Sequence, residues 1–181
     1  SGTTNLYHPA DQWFVAHSQD GTLTSQHIGS ATPGGSENRI RMTVTSADTS
    51  IAAGQYATLV QYIEGLRTAD LQFGTANATD VVVRFGFKGP AGTYAVAIVN
   101  QDSNRSFVRE FTISGGDANT DTLQTVTFPG DTTGTWDKDN TSSLQLIFTF
   151  ATGSTYQTTA DAWQAGTYFG TSSTSNGIGT T

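Results

Sequence analysis

Four large apolar residues at a period of two, Leu144, Leu146, Phe148 and Phe150, constrain this chain more than any other feature. An extended strand turns alternate side chains to opposite faces, so all four share one face, and a slip of one residue would turn them all to water. Burial of each such side chain stabilises by about 1.5–3 kcal/mol. The run must therefore lie on a core. Upstream, Leu123 to Phe128 is a second apolar run whose Val126 and Phe128 are expected to oppose the four. Between the two runs lies a long polar loop holding Trp136.

The same alternation recurs between Gly, Asn, Asp and Pro turn signals, with almost no helical periodicity, and this is an all-β pattern. Trp13 to Ala16 reads as a strand in which Trp13 packs, with Thr22 to Ile28 expected to pair with it. Ile40, Met42 and Val44 share one face of Arg39 to Thr45, and Val81, Val83, Phe85 and Phe87 share one face of Asp80 to Lys88. Tyr94, Val96 and Ile98 alternate with Ala95 and Ala97, and such small residues imply close approach of neighbouring backbone or a tightly curved strand. Phe107, Phe111 and Ile113 share a further face. Tyr56 to Ile63 differs: Tyr56, Val60 and Tyr62 lie on one side and Leu59, Gln61 and Ile63 on the other. Either both of its faces are partly covered, or one lies under a ligand or partner.

The expected architecture is an antiparallel β-sandwich in one domain over residues 1–170. At most one short helical turn is expected, near Thr159 to Gln164, where a Thr cap and a Gly stop bracket TTADAWQAG. Residues 171–181, rich in Gly, Ser and Thr with Ile178 alone apolar, read as a flexible tail or the lead-in to a missing final strand.

Only 13% of the 181 residues are charged and the net charge is −7, which argues against nucleic acid or an anionic membrane as partner. No apolar run reaches the roughly 18 residues of a membrane span. Cysteine is absent, which excludes disulfides, thiolate catalysis and sulfur-ligated zinc. His8, His17 and His27 are spaced so that no two form a ligand pair on one helix or strand face, and no Gly-x-Ser-x-Gly elbow or phosphate-cradling loop occurs. Glu64, Glu110, Asp137 and Asp139 are the carboxylates available for glycosidic hydrolysis, but Glu64 and Glu110 read more simply as strand-end or surface charges. No catalytic residue and no metal site is assigned. Asp137, Asp139 and Asn140, or Asp117, Asn119 and Asp121, offer oxygens at alternate positions for a structural Ca²⁺, without the full set of a calcium loop.

Aromatic side chains are the remaining lead, because sugars present apolar C–H faces that stack on rings while amides and hydroxyls take up their polar edges. Trp136, Tyr156, Trp163 and Tyr168 fall in loop-like sequence and are candidate ligand platforms, with Gln61 and Tyr62 as strand-borne candidates. The competing reading of the loop aromatics is that they plug the ends of the sandwich or cover its edge.

The order of several pieces carries a resemblance: ADQW ending at Trp13, QYIEG from Gln61 to Gly65, the V-x-F-x-F strand at Val83 to Phe87, the Ser106-Phe107 strand, PGDTTGTW from Pro129 to Trp136 with a following DN, and GSTY from Gly153 to Tyr156 with a downstream Trp. Together they resemble a recurring module of phage and prophage tail-fibre proteins, itself similar to the jelly-roll sandwiches of carbohydrate-binding modules. The resemblance covers Asn5 to about Gly179, and PGDTTGTW is its most specific part. It implies a jelly roll in a non-catalytic adhesion module of a phage fibre or spike at the virion surface. The implied partners are a cell-surface polysaccharide and other virion proteins, in a homo-oligomer with a trimer favoured. A purely structural role in the virion, as capsid decoration or fibre linker, is the alternative. A second is an accessory carbohydrate-binding module of a secreted polysaccharide-degrading enzyme.

Overall fold

The computed structural model describes residues 2–181. Eleven strands follow in chain order: β1 (Tyr7–Ala10), β2 (Trp13–Ser18), β3 (Thr22–Gly29), β4 (Asn38–Ser46), β5 (Tyr56–Glu64), β6 (Val81–Phe87), β7 (Gly92–Asn100), β8 (Arg105–Ile113), β9 (Thr122–Phe128), β10 (Ser142–Thr152) and β11 (Trp163–Ala165). Seven form one sheet in the order β1-β2-β5-β10-β7-β8-β11, and the β3–β4 hairpin and the non-consecutive pair β6–β9 form the facing layer. Every strand pairing is antiparallel. The architecture is a β-sandwich of jelly-roll type.

Strand β10 is the axis of the large sheet, bonded to β5 on one side and β7 on the other. Its Leu144, Leu146, Phe148 and Phe150 look into the space between the layers, where β6 and β9 supply Val81, Val83, Phe85, Phe87, Val126 and Phe128. The rings interlock edge to face: Phe85 meets Phe148 at 4.9 Å and Phe111 at 5.2 Å between centroids, and Phe107 meets Phe128 at 5.8 Å. Trp13 packs on Phe148 at 5.9 Å. A second cluster joins Leu23, Met42 and Val44 of the β3–β4 hairpin to Val15 and Leu59 of the large sheet. The loop before β4 reaches across to β6, where a Cβ at Gly86 would stand 3.1 Å from Thr32 Cβ and 3.2 Å from Pro33 Cδ. A side chain at Gly86 would push that loop back by a few tenths of an ångström.

Three expectations are corrected. Strand β3 pairs with β4 and not with β2, because β1 and β5 occupy both edges of β2. Residues Thr159 to Gln164 form no helical turn. Asp161 takes a left-handed φ of 68°, and Trp163 pairs with Phe107 at the head of the edge strand β11. Pairing and ring burial there outweigh a weak helical propensity. The short helical elements lie elsewhere: α1 (Gly65–Thr68) directly after β5, and 3-10 turns at Ala69–Leu71 and Ser154–Tyr156.

The third correction concerns the flexible tail. Ile178 is buried against Val15, Leu23 and Ala57. The backbone around it is tied down by Ser175 N to Thr93 O (2.8 Å), Gly177 N to Phe150 O (2.7 Å) and Asp48 N to Ile178 O (3.0 Å). Asn176 adds a bond from its side-chain amide to Asp48 O at 2.8 Å. One apolar anchor plus backbone hydrogen bonds to strands already in place orders a segment that composition marks as loose.

Candidate functional site

The face of the large sheet that looks away from the core would be polar if it were solvated. Here it carries Phe14 and Ala16 from β2, Tyr56, Thr58, Val60 and Tyr62 from β5, and Gln145 and Ile147 from β10. Over β7 and β8 this face is closed by the returning chain, whose Tyr156, Tyr168 and Phe169 pack on Ala95, Ala97, Val99 and Val108. Ala95 and Ala97 are fully buried beneath it, so close backbone approach is the physical reason for their small size. The cover reaches the edge of the remaining region, where Phe169 O accepts from Thr149 Oγ1 of β10 at 2.6 Å and Tyr156 and Phe169 meet Tyr56 of β5, and beyond that the described residues leave β2, β5 and β10 open. An open groove of about 260 Å³ results, with Leu6, Tyr156, Thr167 and Phe169 completing its walls.

Aromatic rings stand at both ends of the groove. Phe14 meets Tyr62 at 5.1 Å and His8 at 5.6 Å. At the other end Tyr56 meets Tyr156 edge-on at 5.3 Å and Phe169 at 5.5 Å, while Tyr156 stacks on Phe169 at 4.8 Å. Tyr56 and Tyr62 are six residues apart on one strand, hence about 20 Å apart. Burial raises the pKa of the Tyr56 phenol above its ordinary 10.0, and the neighbouring Tyr156 adds to the effect.

The floor between the two ends mixes apolar and neutral polar groups. Thr58 Oγ1 donates to Ala16 O at 2.8 Å, and the Gln145 amide donates to Asn100 O and Ser103 Oγ, both at 3.2 Å. These bonds hold the side chains in place before any ligand arrives, so little rotamer freedom is left to lose on binding. None of the lining residues is charged. The arrangement can stack apolar ring faces and hydrogen-bond hydroxyls, and it offers no ion pair to an anionic ligand.

No protein-family model matches the chain, and no curated protein matches it. Among solved structures it is similar to the enzymatically active domain of tailspike protein 4 of bacteriophage CBA120, at 12% identity and a TM-score of 0.47, over 88% of this chain and 19% of that one. It is also similar to a family 11 carbohydrate-binding module from Clostridium thermocellum in complex with a β-1,3-1,4-mixed-linked tetrasaccharide. There the identity is 12% and the TM-score 0.46, over 83% of this chain and 86% of that one. The chain thus spans about a fifth of the tailspike domain's length.

The sequence-derived candidates separate into four places. Tyr62 and Tyr156 line the groove, and Tyr62 is 50% exposed. Gln61 turns to the opposite face with Leu59 and Ile63. Tyr168 packs in the cover over β7 and β8, outside the groove lining. Trp136 and Trp163 lie 5.7 Å apart edge to face, around Phe73, at one end of the interlayer core. Trp136 is buried, its indole N–H donating to Asp131, and the indole N–H of Trp163 donates to Pro129 O at 3.0 Å. The space beside Trp136 is about 10 Å³, room for roughly one water and none for a sugar ring. The two tryptophans plug an end of the sandwich.

Three of the carboxylates considered for Ca²⁺ are engaged by protein donors. Asp121 is ion-paired with Arg39 at 2.7 Å, and Asp117 accepts from Ser114 Oγ at 2.7 Å. Asp139 accepts from Thr141 N at 2.8 Å and Oγ1 at 2.6 Å, and these bonds hold its carboxyl below the usual range. Among the described residues no cluster of three or more metal-ligating side chains occurs.

Sequence reasoning missed Phe14, Tyr56, Ile147 and Phe169. Their signal was present: Phe14 and Ile147 are apolar residues on the supposedly outward face of strands whose inward sets are already complete.

Proposed function

We propose that this chain is a non-catalytic adhesion module that binds a neutral polysaccharide chain along the groove over β2, β5 and β10. The observation that carries the reading is the open, uncharged groove with an aromatic group at each end. Rings supply the faces on which pyranose C–H groups stack, and Gln145 and Thr167, whose donors are used within the protein, leave oxygens to accept from sugar hydroxyls. The span of about 20 Å between Tyr56 and Tyr62 suits several sugar units in a row better than a single terminal one. A hydrolase needs a pair of carboxyl groups flanking the scissile bond, and the groove lining contains none. The motif order from ADQW to GSTY, resembling phage and prophage tail-fibre modules, motivates placing the module on a fibre or spike at the virion surface. Its target would be a cell-surface polysaccharide, and assembly as a trimer would multiply weak single-site affinity.

The test is an array of immobilised neutral and acidic oligosaccharides probed with wild-type protein and with Tyr62→Ala. Signal confined to neutral chains, growing with chain length and lost in the variant, is the expected result. Binding of acidic chains alone, or no binding to any glycan, overturns the proposal.

A further inference from the structure

Leu6 combines three features that do nothing for the stability of the free protein. It is 58% exposed, it lines the groove, and its φ is +61°, in the left-handed region. Of the six non-glycine residues with positive φ among the described residues, the other five are polar: Gln12, Gln72, Ser103, Asn119 and Asp161. Leu6 is the third residue of a turn closed by Tyr7 N to Thr4 O at 3.2 Å, where a positive φ ordinarily selects Gly or Asn. The conformation is nonetheless built in. Leu6 N donates to Val15 O at 2.8 Å, and Asn5 Oδ1 accepts from both Leu6 N (3.1 Å) and His17 N (2.8 Å). The edge of β2 thus holds an apolar side chain out at the groove wall. An L-residue in this region costs roughly 1–2 kcal/mol, and exposure of the side chain gives up its burial energy as well.

We infer that Leu6 is a ligand-contact residue, an apolar lip that closes on the C–H face of a sugar in the groove. The inference rests on the glycan-binding reading of the groove and adds a specificity element to it. A ring bearing axial hydroxyls on the face turned to Leu6 would present oxygens to an apolar group that cannot bond them, whereas an all-equatorial ring presents C–H groups. Leu6 therefore selects neutral sugars with an uninterrupted apolar face.

Leu6→Asn and Leu6→Met separate this role from a structural one, with the same array of immobilised neutral and acidic oligosaccharides as probe and thermal melting as control. Asn tolerates the left-handed region, so Leu6→Asn is expected to hold Tm or raise it by about 2–4 °C. Its affinity for the neutral chains that wild-type protein binds should fall about fivefold or more. Leu6→Met keeps an apolar side chain and should retain affinity to within about twofold. Unchanged binding by Leu6→Asn, with binding still lost in Tyr62→Ala, overturns the inference and leaves the glycan-binding reading standing. A fall in both Tm and affinity in Leu6→Asn also overturns it, since Leu6 would then hold the turn. Failure of wild-type protein to bind any glycan defeats the underlying reading first.

Discussion

The Arg105 guanidinium grips the Asp131 carboxylate through two bonds, Nε to Oδ2 at 2.9 Å and Nη2 to Oδ1 at 2.7 Å. Asp131 is fully buried and also accepts from Trp136 Nε1 and from Thr133 N and Oγ1, each at 3.2 Å. Arg105 in turn lies 5.5 Å from the centroid of the Trp163 ring. One carboxylate thereby ties the PGDTTGTW loop to β8 and to both end-plugging tryptophans. Removing it strands a cation whose side chain is only 20% exposed. Asp131→Ala is expected to destabilise by about 3 kcal/mol, at the low end for a broken buried pair because Arg105 keeps some solvent. Urea unfolding followed by tryptophan fluorescence measures it.

Trp136 belongs to the same network, and its variants should report on stability alone. Trp136→Ala empties an end of the core and is expected to cost about 3–5 kcal/mol. Trp136→Phe keeps a ring but loses the indole bonds, at about 1–2 kcal/mol. In array measurements at a temperature where each variant remains folded, neither should alter the glycan signal. A loss of glycan signal by folded Trp136→Phe would return this residue to the binding surface.

The C-terminal segment gives a third prediction. Ile178→Ala should destabilise by about 2–3 kcal/mol, because the side chain fills a buried site between the β3–β4 hairpin and the large sheet. A flexible tail would show no change in the urea midpoint.

Stability should also fall at alkaline pH. The folded-state pKa values of Tyr56 and Tyr94 lie above the ordinary 10.0, chiefly through burial. Below pH 10 both phenols are neutral in the folded and unfolded states, and their contribution is fully present. As pH rises past 10 the unfolded chain loses its protons first, so stability declines until the folded-state pKa is passed. Urea midpoints taken from about pH 8 to about pH 11 should drop at the upper end, and Tyr56→Phe should shallow the drop.

What was legible in the sequence follows local rules. The inward sets of β6, β8 and β10 stand in the structure as alternation places them, because a pleated strand leaves no freedom over which residues share a face. Ala95 and Ala97 announced a close approach before the approaching chain was known. The split faces of Tyr56 to Ile63 marked a strand with apolar groups on both sides, and one of those sides is the groove. The candidate site was read less well. Trp136 and Trp163 looked like platforms because they sit in polar sequence, yet polar neighbours such as Asp131 and Pro129 are the partners that let an indole N–H be buried.

The sequence by itself determined an all-β sandwich, the strand residues that face its interlayer core, and a surface with few charges. Tertiary structure alone decided that chain 156–169 covers β7 and β8 and reaches only the margin of β5 and β10, and so which aromatics are walls of a groove and which are plugs. It also decided that Ile178 anchors a segment without an apolar face, and that Leu6 stands strained at the groove's edge. The reason is physical: strand periodicity is a property of neighbouring residues, whereas cover, concavity and strain depend on where segments far apart in the chain come to rest.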